Sequence, residues 1–197
     1  MILDELNKLL SSKKEKINKN NNNNEIQTDS HDDNTHEFGG KIICYSKEDD
    51  ALTVDGRIVY RSDVYNLKGK HKLKFTFVSS NGVDEQLILL VMDKKFDGEI
   101  SWNGQKYKVP KCAFPTLDLY EKYMGKEFIL DIDLKNDDLH ICNGVVEDGC
   151  VDYWDFENMG GMYIEEVTSN KKRYICNAPN SKDYEFDDLV FEIEILD

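Results

Sequence analysis

Acidic residues far outnumber lysine and arginine in this chain. There are 25 of them against 39 aspartates and glutamates in 197 residues, giving a formal net charge of −14 at pH 7. The deficit is not confined to a tail, since twenty basic residues face thirty-one acidic ones from Phe38 onward. Nucleic acid or an anionic membrane needs a cationic surface that releases counterions, so neither is expected as a partner. Lys68, Lys70, His71, Lys72 and Lys74 form the one dense basic cluster, and it leads directly into a strand, where it reads as a solvated turn and strand face. Three prolines and twelve glycines are too few for a collagen-like or low-complexity chain. No apolar run approaches the roughly 18 residues of a membrane span. Leu9-Leu10 is followed at once by Ser11-Ser12-Lys13-Lys14, which is no secretory core.

Cysteine is present in odd number, at 44, 112, 142, 150 and 176, with no CxxC pair. A disulfide framework is therefore not expected in a chain this long. Cys44, Cys142 and Cys176 each follow an isoleucine in strand-like text and read as reduced core residues, with Cys150 the exposed exception. These features together predict a cytoplasmic protein. Catalytic signatures are missing as well: there is no GxSxG elbow, HExxH helix, phosphate-cradling glycine loop or dinucleotide fingerprint. His140 and Cys142 share a strand face, but such a pair is more often core and edge neighbours than base and nucleophile. Neither His71 nor His140 has a His or Cys at zinc-ligand spacing. The reading leans away from an enzyme.

What the chain does have is period-two alternation. Leu73-Phe75-Phe77, Phe128-Leu130-Ile132-Leu134 and Leu189-Phe191-Ile193-Ile195 place apolar residues two apart, as half-buried antiparallel strands require. Asp55-Gly56 and Asn103-Gly104 each separate two such runs and predict type I′ hairpins. Eleven or twelve short strands predict an all-β fold, an antiparallel β-sandwich of jelly-roll type with one short helix, covering 38–197. The expected core includes Phe75, Phe77, Leu87, Leu89, Val91, Trp102, Phe128, Leu130, Ile132, Ile164, Phe191, Ile193 and Ile195. The helix is predicted over Thr116–Met124, between Pro115 and Gly125. Before the sandwich, 1–37 reads as a short amphipathic helix on Ile2, Leu3, Leu6, Leu9 and Leu10, followed by an Asn-rich disordered linker.

One stretch, Gly144 to Gly160, lacks strand text, and long loops inside compact domains tend to be functional. It interleaves five carboxylates with three aromatics. Tyr153, Trp154, Phe156, Asp152, Asp155 and Asn158 are the candidate ligand-binding residues, the rings as anchors and the polar groups as hydrogen-bonding partners. Asp148, Asp152, Asp155 and Glu157 are the candidate metal ligands, with calcium as the cofactor such hard oxygen donors would take. The function expected is a non-catalytic binding module engaging a protein partner with a basic surface. A lectin-like carbohydrate-binding sandwich, calcium-dependent if those carboxylates converge, is the alternative, and a carboxylate-based glycoside hydrolase is the second.

Overall fold

The computed structural model describes residues 33–38, 41–46, 51–81, 85–92, 97–107, 115–135, 139–147, 150–153, 160–178, 181 and 184–196. By its internal contacts the chain divides into Met1–Asp32 and Asp33–Asp197, and the first unit lies outside the described residues, as do the helix and most of the linker predicted there. In chain order the strands are β1 (Asp33–Phe38), β2 (Lys41–Ser46), β3 (Ala51–Val54), β4 (Arg57–Val59), β5 (Asp63–Tyr65), β6 (Gly69–Ser80), β7 (Glu85–Met92), β8 (Gly98–Trp102) and β9 (Gln105–Tyr107). They continue as β10 (Thr116–Leu119), β11 (Glu127–Leu134), β12 (Leu139–Glu147), β13 (Cys150–Tyr153), β14 (Gly161–Thr168), β15 (Lys171–Asn177) and β16 (Leu189–Leu196), with a single helical turn α1 (Glu121–Met124) after β10.

The fold is all-β, and among the described residues every strand pairing is antiparallel. One layer is a seven-stranded sheet in the order β14-β15-β16-β6-β11-β8-β9. The other is a five-stranded sheet, β10-β7-β12-β13, with β5 also on β12. Successive strands from β6 to β8 and from β9 to β12 switch layers, the connectivity of a jelly-roll sandwich. Alternation dictates what lies between them. Leu73, Phe75 and Phe77 of β6 and Phe128, Leu130 and Ile132 of β11 are at most 6% exposed, while Lys72, Lys74, Asp131 and Asp133 between them reach solvent. Phe75 and Phe128 face one another across the ladder and stack at 5.0 Å. Of the expected core, Trp102, Ile164 and Ile195 are only half-buried against the cluster, because they sit at strand ends or on the edge strand β14.

β7 departs from alternation: Leu87 through Met92 are all at most 4% exposed. A strand covered on both faces carries a continuous apolar run, which is what Leu87-Ile88-Leu89-Leu90-Val91-Met92 is. β3 and β4 extend a four-stranded sheet, β1-β2-β3-β4, whose Leu52, Val54 and Val59 form a second cluster with Tyr163, Tyr184 and Phe186. Tyr163 stacks on Phe186 at 4.0 Å, Arg57 covers the Tyr163 ring at 4.0 Å, and paired backbone bonds between Tyr60 and Met162 tie β4 to β14.

Both predicted turns are present. Asp55 and Gly56 have φ of 50° and 75°, Asn103 and Gly104 of 51° and 76°, the left-handed values a two-residue type I′ hairpin needs. Three local readings are corrected. Thr116–Leu119 is not the start of a helix but strand β10, whose Leu117 and Leu119 register with Leu90 and Ile88 of β7; cross-strand pairing of these two leucines outweighs the capping signal, and only Glu121–Met124 is helical. Gly125 does end it, with φ of 81°. The second correction is that strand β1 takes in Asp33 to Glu37, read from composition as linker, by pairing with β2. The third concerns Gly144–Gly160 and bears on the site.

Candidate functional site

The stretch expected to be a loop is half strand. β12 runs on through Glu147 and turns back into β13, with Gly144 opposite Tyr153, Val145 opposite Asp152, Val146 opposite Val151 and Glu147 opposite Cys150. The pair Glu147/Cys150 brackets a two-residue connection at 148–149, and the sequence there is Asp148-Gly149. That is the hairpin dipeptide seen at Asp55-Gly56, flanked by Val145-Val146 and Val151, so the signal was legible. Val146 and Val151 pack against the main core, which anchors the hairpin on the five-stranded sheet, while Cys150 is exposed at its tip.

The candidate residues fall on and after this hairpin. Asp152 and Tyr153 are the last two positions of β13, an edge strand. Asp148, Trp154, Asp155, Phe156, Glu157 and Asn158, and the side chains of Asp152 and Tyr153, lie outside the described residues. The segment 154–159 joins β13, at the edge of the five-stranded sheet, to β14, at the edge of the seven-stranded one. Among the described residues no group of three or more His, Cys, Asp or Glu is placed to hold a metal.

The sequence around the hairpin is uneven in charge. Between Lys135 and Lys171 the chain carries nine aspartates and glutamates and neither lysine nor arginine. The outer face of the seven-stranded sheet is the opposite case, with acids and bases alternating across neighbouring strands. There Lys72 meets Asp131 at 3.3 Å, Lys74 meets Glu127 at 3.1 Å, Lys106 meets Glu99 at 2.7 Å and Arg173 meets Glu192 at 2.6 Å. Lys106 holds the carboxyl of Glu99 below the usual carboxylate range; burial pulls that of Glu192 upward, but Lys171 and Arg173 together hold it below that range as well. The first three pairs are largely exposed and add little to stability, yet with the part-buried Arg173–Glu192 pair they neutralise charge across that face. The basic cluster around Lys68–Lys74 is one side of these rungs, as expected of a solvated strand.

Two buried polar arrangements were invisible in the sequence because their members lie far apart in it. Tyr65 and Tyr174 share a hydrogen bond at 2.7 Å, the Tyr174 hydroxyl also donates to Asp63 Oδ2 at 2.8 Å, and Lys172 Nζ reaches the same oxygen at 2.8 Å. Asp63 and Tyr65 come from β5 and the other two from β15, so the chain of bonds clasps the two layers. Close by in the fold, Asn143 Nδ2 donates to the Asn177 carbonyl at 2.9 Å, and Asn177 Oδ1 accepts from Phe186 N at 3.3 Å. Cys142 and Cys176 are free and buried. Burial pushes the Cys142 thiol up to about 12 and Cys176 well above its ordinary value, so neither thiolate is favoured at neutral pH and the His140/Cys142 pair lacks an activated nucleophile.

No family model matches the chain, and no curated protein or solved structure is similar to it at a significant level.

Proposed function

We propose that the protein is a binding module that holds a protein partner with a basic surface against the acidic, aromatic segment from Glu147 to Asn158. The observation that carries this reading is the distribution of charge. Charge is uneven along the chain: the seven-stranded sheet carries cross-strand ion pairs, whereas the 35 residues from 136 to 170 include nine acids and no lysine or arginine, five of those acids between Glu147 and Glu157. Charge of one sign concentrated in a segment steers a complementary partner and raises its association rate. Tyr153, Trp154 and Phe156, set among those acids, supply the aromatic anchors that dominate interface energetics. The β12–β13 hairpin, fixed to the core through Val146 and Val151, supports the segment at one end and β14 at the other. Function carried on a connection between rigid strands is the common arrangement. A cytoplasmic setting belongs to the proposal and is supported by the free, buried thiols of Cys142 and Cys176.

The test uses the full chain immobilised beside a variant carrying Asp152→Asn, Asp155→Asn and Glu157→Gln. The expected result is a basic protein retained by the wild type at about 0.1 M salt, released as ionic strength rises toward about 1 M, and not retained by the variant. Equal retention by both chains would contradict the proposal. So would specific, calcium-dependent binding on a glycan array, which would favour the lectin reading, or release of reducing sugar from a glycan, which would favour the hydrolase.

A further inference from the structure

A cavity of about 190 Å³ opens between the two layers where β8 and the edge strand β9 of one sheet approach β10 of the other. Its walls are apolar and come from both layers. Ile100 and Leu130 line it from the seven-stranded sheet, Leu117 and Leu119 from the five-stranded one, and Trp102 and Met124 also line it. Ile100, Leu119 and Leu130 are at most 1% exposed, whereas Trp102, Leu117 and Met124 are half-buried, so the space runs from the deep core to the surface. Protein interiors keep few voids larger than a water molecule. Tyr107 Oη, from β9, donates to the Thr116 carbonyl of β10 at 2.6 Å and so links the two sheets beside this space.

We infer that this interlayer cavity is a binding site for a small molecule bearing a single aromatic ring with one uncharged polar substituent, phenol being the simplest example. Size argues for one ring, because an apolar cavity of about 150 Å³ stays dry and admits benzene. The linings argue for an aromatic ring in particular. The Trp102 indole and the Tyr107 ring offer faces and edges for stacking, and the Met124 thioether is a favourable neighbour for a ring edge. The polar substituent belongs at the mouth, where the exposed Gln105 lies opposite Trp102. It is uncharged because Lys106, the one charged residue of the lining among the described residues, lies on the outer face of its strand, bonded to both carboxylate oxygens of Glu99 at 2.7 Å. A few convergent polar groups around an apolar pocket are the usual composition of a small-molecule site. The cavity is independent of the acidic segment, so the two proposals stand or fall separately.

The experiment is a titration of the full chain with toluene and with phenol, followed by methyl NMR. Saturable shifts are expected at the Met124, Leu117 and Leu119 methyls with both probes, and none at Ile193, which lies elsewhere in the core. The filling variant Leu117→Phe is expected to weaken both probes at least tenfold. Should that variant fail to fold, the wild-type methyl shifts decide alone. Absence of shifts at saturating toluene, or shifts scattered over exposed methyls such as Ile58 and Val167, would overturn the inference. Shifts with phenol but not toluene would overturn it too, since recognition would then lie at the polar rim and not in the cavity.

Discussion

Truncating Phe191 to alanine is expected to cost about 3–5 kcal/mol of folding stability, the range for deleting a fully buried phenylalanine. Phe191 is 0% exposed in β16, the strand that joins β15 to β6 in the larger layer. It stands opposite Tyr174 on one neighbour and Phe77 on the other, and stacks on the Tyr174 ring at 4.6 Å with the planes 13° apart. Removing the ring therefore empties the contact between three strands and also unseats Tyr174, the centre of the interlayer clasp with Tyr65 and Asp63. Because whole-domain stabilities run about 5–15 kcal/mol, the loss is a large fraction of the total. Urea denaturation should show a lower midpoint with an unchanged slope. A loss below about 1 kcal/mol would mean that Phe191 is not a core residue.

Alkali is expected to unfold the protein well before an average domain of this composition. Burial raises the pKa of Tyr65 and Tyr174 far above their ordinary value of 10, with Asp63 opposing ionisation of both, and raises Cys142 and Cys176 from an ordinary value of 9. The sign follows from proton counts. Above pH 9–10 the unfolded chain releases these protons and the folded chain keeps them, so the unfolded state binds fewer protons and stability falls as pH rises. The stabilising contribution is whole below the ordinary pKa of each group and is lost progressively above it, at about 1.4 kcal/mol per pH unit per group. Exposed Lys122 and Lys135, whose pKa values are raised by hydrogen bonds to Glu85 and Asp97, act in the same direction but weakly in solvent. Melting temperatures from pH 8 to 11.5 should fall steeply, and the double variant Tyr65→Phe, Tyr174→Phe should flatten the slope above pH 10. A wild-type curve level across that range would contradict the buried placement of these groups.

Much of the sandwich was readable from local text. Period-two alternation found β6, β11 and β16 because each has one dry face, and Asp55-Gly56 and Asn103-Gly104 found their turns because few residues accept positive φ. β10 was misread because a proline, a threonine and a later glycine imitate helix punctuation, whereas the deciding interaction, Leu117 and Leu119 against β7, is long-range. The β12–β13 hairpin was missed even though Asp148-Gly149 carries the same signal as the other two turns. The aromatic and acidic text around it drew the stretch toward a loop. The interlayer clasp was illegible for a different reason: Asp63 and Tyr65 lie 109 to 111 residues from Lys172 and Tyr174, and no spacing rule links them. Of the candidate site, sequence supplied the residue types and the charge imbalance, and the fold adds where the flanking strands stand.

The most direct test of the proposed site compares Trp154→Ala with Phe191→Ala in two assays, binding of the captured basic partner and urea denaturation. With Trp154 as an interface anchor, Trp154→Ala should weaken binding by at least about tenfold, corresponding to about 1.4 kcal/mol or more. It should also cost far less stability than Phe191→Ala. If Trp154→Ala unfolds the protein as severely as Phe191→Ala, the segment from Glu147 to Asn158 is a plug that completes the sandwich, and the binding surface lies elsewhere.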